Sequence, residues 1–285
     1  MLLVVEREAA GARAAAPVTL TSGLSASRAT IPVSFNGRQA SCILDTGSSA
    51  ILVSPMLARD AGLSGSGGTF EIAPDGRTYA DRETEISRFA VSRFAVRDVH
   101  ALISSNLTGD NALCGYDFFT RFPSLIDRER GTVTLFPAPS KIARMHCLRV
   151  DLAPRVPLAT VEINGTWLNQ IVLDSGMSGG GALWDGVRER LRSPLVSAAD
   201  DMDQPQARHG FSCGASAFVR FATGTATSSM PMCTAEERPD GYNGIIETNL
   251  PAMHAMAVDY PHRRICFDVE SLSQAWSRFN NLRSP

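Results

Sequence analysis

Two short stretches of this chain are built alike: Ile43-Leu44-Asp45-Thr46-Gly47-Ser48-Ser49 and Val172-Leu173-Asp174-Ser175-Gly176-Met177-Ser178. In each, an aliphatic pair marks the end of a buried strand, and an acid followed by Thr or Ser and then Gly marks a sharp turn. Such a turn lifts the carboxylate out of the core. The surroundings repeat as well. Val33-Ser34-Phe35-Asn36-Gly37 and Val161-Glu162-Ile163-Asn164-Gly165 are alternating strands closed by an Asn-Gly turn, with the Gly 8 residues before Asp45 and 9 before Asp174. Downstream, Leu113-Cys114-Gly115 matches Ile245-Ile246-Glu247, with Gly115 70 residues after Asp45 and Glu247 73 after Asp174. Leu125-Ile126-Asp127 then parallels Ala257-Val258-Asp259, each Asp 12 residues further on. The pattern reads as a tandem duplication with one exposed acid per copy.

These residues resemble the pepsin and retropepsin-like aspartic proteases over most of residues 29–270. In that family each lobe gives one Asp from an Asp-Thr/Ser-Gly loop, and a later apolar-apolar-Gly strand threads beneath the loop. The resemblance implies an all-β, two-lobed fold of paired barrels related by a pseudo-twofold axis, with few short helices. It implies Asp45 and Asp174 as the catalytic acids. Two positions depart from the family pattern: Met177 replaces a small residue, and Glu247 stands where Gly is expected. A Glu there would either point outward or crowd Asp174 and raise its pKa.

A chain of 285 residues accommodates two such lobes of roughly 120 residues, each able to bury a core. The expected division is residues 1–28 as a tail or first edge strand, 29–140 as the first lobe and 141–285 as the second. The net charge of -2, with no concentrated basic stretch, argues against nucleic acid as a partner. No run of 18 apolar residues offers a membrane span, and the apolar start is cut short by Glu6, Arg7 and Glu8. Ala14-Ala15-Ala16 has the composition of a processed leader, which fits an exported, soluble protein.

Six cysteines extend the comparison between copies. Cys42 and Cys114 lie on the two strands that the resemblance places side by side under the first Asp loop, while Ile171 and Ile246 occupy the matching places in the second copy. Two cysteines exchanged together for two isoleucines suggest a contacting pair. Cys213 with Cys233 and Cys147 with Cys266 are the pairings expected next, against the alternative of buried free thiols. Paired cysteines would indicate an oxidising compartment.

Along the chain, residues 51–53 read as a strand and 55–62 as a helix with Pro near its start and Gly at its end. Residues 65–68 read as a connector. Residues 69–73 and 77–80 form a hairpin around Pro74-Asp75-Gly76, about 30 residues after Asp45, where the resemblance places a flap over bound peptide. Asp75, Gly76 and Tyr79 are its candidate substrate contacts; the alternative is an ordinary exposed hairpin. Strands follow at 86–91, 94–103 and 132–136, and Pro137 and Pro139 mark the lobe boundary. The second copy adds a strand at 148–152, a helix at 184–191, a second flap near His209-Gly210 and a helix at 272–279.

Two carboxyls within hydrogen-bond distance cannot both ionise, so one activates water while the other polarises a scissile carbonyl. The expected support is N-H donation from Gly47 and Gly176, bridging hydroxyls on Thr46 and Ser175, and a Ser48 hydroxyl on the outer oxygen of Asp45. That last bond would make Asp45 the more acidic member and leave the shared proton on Asp174. The function so implied is peptide hydrolysis on an extended peptide or protein substrate, in a monomer whose lobes form an intrachain pseudo-dimer. No cofactor and no metal are implied, since neither His-Glu-x-x-His nor Cys-x-x-Cys occurs. The alternatives are a non-cleaving pseudo-protease that binds peptides, and a first lobe that pairs with its copy in another chain.

Overall fold

The computed structural model describes residues 17–25, 28–72, 78–136, 145–177, 180–197, 211–221, 227–235, 241–248 and 255–268. These are mostly β-strands with a few helices of six residues or fewer. The strands make three sheets. Nine neighbours in one sheet and the small strand Gly23–Ser25 all come from the first half of the chain, and seven in a second sheet all come from the second half. The third, six-stranded sheet takes three strands from each half. Its central pairing sets Ser124–Asp127 against Ala255–Asp259, so the two halves are hydrogen-bonded through one continuous backbone ladder.

The same local logic shapes both halves. Asn36 and Asn164 adopt φ of 49° and 46°, and the glycines after them 94° and 79°. This left-handed pair is what a two-residue hairpin turn needs to match strand twist. Strand Arg28–Phe35 returns as Arg38–Leu44, and strand Leu158–Ile163 returns as Thr166–Asp174. A parallel partner then lies beside each returning strand: Asn111–Cys114 beside the first and Gly244–Glu247 beside the second. In the second half the sheet also closes on itself, because Leu158–Ile163 pairs with Phe211–Phe221 at the other end of the strand order. Closure leaves a barrel interior filled by Val161, Ile163, Leu168, Val219 and Phe221.

Residues 18–21, within the stretch expected to be a tail or first edge strand, form an edge strand on the six-stranded sheet and so keep to that expectation. Several other elements differ from the sequence expectation. The glycines at 65–68 do not merely connect: strand Ser66–Ile72 starts inside them, with a bulge between Ser66 and Thr69 and Gly67 at φ 66°. The expected strand at 94–103 is two strands, Phe94–Val96 and Val99–Ser104, divided at Asp98, whose φ is 53°. The expected helix at 184–191 shrinks to Asp185–Arg188, because Trp184 ends the strand Gly181–Trp184 with its ring buried. The strand expected at 148–152 is His146–Arg149. The second flap near His209, the closing helix at 272–279 and the boundary prolines lie outside the described residues.

Two disulfides staple these sheets. Cys42 bonds Cys114 across the parallel pair under the first Asp loop, and Cys147 bonds Cys266 in the six-stranded sheet. Cys233 is disulfide-bonded too and stands in register with Cys213, whose side chain lies outside the described residues. Disulfides of this kind persist in oxidising compartments, and no described helix is long and apolar enough to cross a membrane. Cys42 and Cys114 are both fully buried and 72 residues apart. Loop-closure entropy then predicts that the Cys42→Ala/Cys114→Ala double variant loses about 4 kcal/mol of stability. Urea unfolding of the two proteins under non-reducing conditions measures the difference.

Candidate active site

The buried strand Arg38–Leu44 runs into Asp45. There the Asp45 amide donates to the Cys114 carbonyl (3.1 Å), and Ser48 N-H turns back to the Asp45 carbonyl (3.3 Å). Strand Thr166–Asp174 ends in the same way, with Thr248 N-H donating to the Asp174 carbonyl (2.9 Å). Each turn bends its acid back onto the loop's own amides. Gly47 N-H donates to Asp45 Oδ1 (2.9 Å); Gly176 and Met177 N-H both donate to Asp174 Oδ1, at 2.6 and 3.0 Å.

Thr46 and Ser175 join the two loops through four buried hydrogen bonds. Thr46 Oγ1 donates to the Leu173 carbonyl (2.7 Å) and accepts from Ser175 N-H (2.9 Å). Ser175 Oγ donates to the Leu44 carbonyl (2.8 Å) and accepts from Thr46 N-H (3.0 Å). Each hydroxyl thereby donates once and accepts once across the junction, which fixes the loops in one relative position. The glycines make that approach possible. A Cβ on Gly47 would lie 2.6 Å from the carboxyl carbon of Asp174, and a Cβ on Gly176 would overlap the carboxyl group of Asp45. Each loop therefore touches the acid of the other, and the two carboxyls hydrogen-bond to one another.

The pair is unequal. Asp174 is buried, whereas Asp45 is partly exposed. Burial raises the Asp174 pKa above the ordinary aspartate value, and this outweighs the hydrogen bond shared with Asp45, those accepted from Gly176 and Met177 N-H, and the positive field of Arg28. The expected role of Ser48 is corrected: its hydroxyl donates to the Ala50 carbonyl (2.9 Å) and so locks its own loop rather than holding the outer oxygen of Asp45. The inequality of the two acids comes from burial. Met177 contributes its backbone N-H, which any residue type supplies, while its side chain packs on the core.

Glu247 follows neither course expected of it. The residue is buried in register with Asp174, yet its Oε2 accepts the Gly180 N-H (2.7 Å), turning away from the acid pair. Tyr79 sits half-buried on the hairpin, opposite Glu71, and the tip bearing Asp75 and Gly76 lies outside the described residues.

Two further residues support the site and carry no motif. Tyr260, buried at the junction, donates its hydroxyl to the Thr46 carbonyl (3.3 Å). Its pKa stands well above the usual phenol value, first through burial and then through the nearby Asp45 and Asp174 charges, so it remains a donor. Arg155, from the second half, donates Nε to the Ser49 carbonyl (2.8 Å), pairs with Asp117 and lies over the Tyr116 ring. Arg155 is in the left-handed region at φ 65°, on a turn that sequence patterning does not single out.

No curated protein matches the chain. A family model does match the first half: it is described as gag-polyprotein putative aspartyl protease and spans residues 31–121, from the strand before Asp45 to just beyond Gly115. Residues 31–121 are thus covered by a retropepsin-like aspartyl protease domain, and a protease-type function is what that match supports.

Proposed function

We propose that this protein is an aspartic endopeptidase in which Asp45 and Asp174 activate water between them. The observation that carries this reading is the interlock of the two loops, where each glycine touches the opposite acid and the carboxyls share a hydrogen bond. Two acids this close hold one proton between them across a wide pH range. Asp174, with its raised pKa, keeps that proton, and Asp45, partly exposed, is the ionised base. Asp45 removes a proton from water as its oxygen attacks the scissile carbonyl, while Asp174 donates to the carbonyl oxygen. The resulting gem-diol collapses as Asp45 passes its proton to the departing amine nitrogen and one diol hydroxyl returns its proton to Asp174, which restores the pair to its starting state. No covalent intermediate forms.

The halves then act as lobes, residues 29–140 and 141–285. Supporting this, Leu125 lies directly opposite Ala257, its counterpart in the repeat, as a twofold axis through that pair of strands requires. An extended peptide between the lobes would add its backbone to the strand edges lining the cleft, and one chain supplying both acids makes the working unit a monomer. Neither Met177 nor Glu247 weakens the pair, since the first donates its amide to Asp174 and the second turns to Gly180. The disulfides fit export to an oxidising compartment.

The test is digestion of an unfolded protein at acidic and neutral pH, with and without a statine-type mimic of the tetrahedral state. Internal cleavage blocked by the mimic is the expected result. Tight binding of peptide with no cleavage at any pH would instead make the chain a binding module.

A further inference from the structure

Gly115 and Glu247 hold matching positions in the two halves: Gly115 directly follows, and Glu247 ends, the strand that runs parallel to the Asp strand. In the first half only glycine fits. A Cβ on Gly115 would overlap the carbonyl oxygens of Ser48 and Ala50, because the Asp45 loop lies directly on the backbone there. The second half buries an entire glutamate at that place.

The loops also differ in length. Cys114 pairs with Ile51, six residues after Asp45, and Ile246 pairs with Gly181, seven residues after Asp174. The second loop is one residue longer, and its strand accommodates a side chain where the first half does not. Glu247 closes both polar groups of Gly180: its amide donates to the Gly180 carbonyl (2.8 Å), and its carboxylate accepts the Gly180 N-H (2.7 Å). Gly180 has φ 108°, and a Cβ there would overlap the Pro231 carbonyl, so its backbone has no freedom to seek another partner. One residue further on, Thr248 N-H holds the Asp174 carbonyl. Residues 247 and 248 therefore grip both ends of the loop that carries the second acid.

We propose that Glu247 is a positioning residue for Asp174, a side-chain substitute for the glycine contact used in the first half. This rests on the reading of Asp45 and Asp174 as the catalytic pair. Glu247 touches neither substrate nor the reacting oxygens; it acts by fixing the 174–180 loop, where a displacement of about 1 Å costs on the order of 100-fold in rate.

The experiment compares Glu247→Ala, Glu247→Asp and Glu247→Gln with the parent protein, reading kcat and KM separately and following hydrogen exchange at the Gly180 amide. Alanine removes the acceptor and aspartate falls one methylene short. Both are expected to lower kcat roughly 10- to 100-fold with KM within about twofold, and to speed Gly180 exchange. Glutamine keeps an oxygen in place and is expected to retain kcat within about threefold, along with Gly180 protection. Should the alanine variant fail to fold, the aspartate variant carries the comparison. Parental kcat and unchanged Gly180 exchange in the aspartate variant would overturn the proposal, as would a glutamine variant no better than alanine. If the parent cleaves nothing, the endopeptidase reading fails by itself, and Gly180 exchange still reports whether Glu247 holds the loop.

Discussion

Asp45→Asn and Asp174→Asn are each expected to lower kcat by at least about 1,000-fold, because either change removes one of the two proton-transfer roles that the pair divides between its members. Asparagine is nearly isosteric and keeps an oxygen to accept the N-H groups of Gly47 or of Gly176 and Met177. Both variants should therefore fold, and KM should change far less than kcat. Assay of each variant on an unfolded protein substrate, with circular dichroism to establish folding, makes the measurement. Full activity in either one would end the two-acid mechanism.

The same pair predicts how stability depends on pH. The folded-state pKa of Asp174 is raised above the ordinary value of 3.8, so the folded protein holds this proton more tightly than the unfolded chain does. The contribution of Asp174 is fully present below 3.8 and is lost as pH rises toward the raised value. Asp174→Asn, which cannot ionise, should gain thermal stability over the parent at neutral pH and lose that advantage on acidification. Melting temperatures of both proteins across this range give the comparison.

Gly115→Ala is expected to be strongly destabilising. The added carbon would collide with the carbonyl oxygens of Ser48 and Ala50 and lie 2.7 Å from Ser48 Cβ. These are backbone atoms of the Asp45 loop, held by Tyr116 N-H on the Ser48 carbonyl (3.0 Å) and Ser48 Oγ on the Ala50 carbonyl. No rotamer change can relieve the overlap, so the loop itself must move. Overpacking against fixed backbone predicts a loss of about 3 kcal/mol and a fall of roughly 5–10 °C in melting temperature, accompanied by loss of peptidase activity. Calorimetry and the same digestion assay would show both. The contrast with Glu247→Ala, at the matching position, is direct: there a methyl fits easily, and what is lost is an acceptor.

Much of the first half was legible because its signals are local. Asn36-Gly37 fixes a hairpin through the φ values it permits, and the alternation of Ile31, Val33 and Phe35 fixes which face is buried. The Cys42–Cys114 contact was readable from two cysteines facing two isoleucines in the repeat. Other features were hidden. Ser48 donates to the Ala50 carbonyl instead of the Asp45 carboxylate, and residue type says nothing of that choice. The strand inside 65–68 depends on a bulge against Glu83 and Asp81, a partner unknown until the chain is paired.

By itself the sequence determined the two Asn-Gly turns and the presence of one acid per loop, because each depends on residues within a few positions of one another. Only the tertiary structure decided that Asp174 is the buried member of the pair, that Tyr260 and Arg155 brace the first loop, and that Glu247 turns to Gly180. Those outcomes depend on which side chains arrive from distant strands and how much water they displace, and burial and hydrogen-bond partnership across such distances leave no periodicity to read.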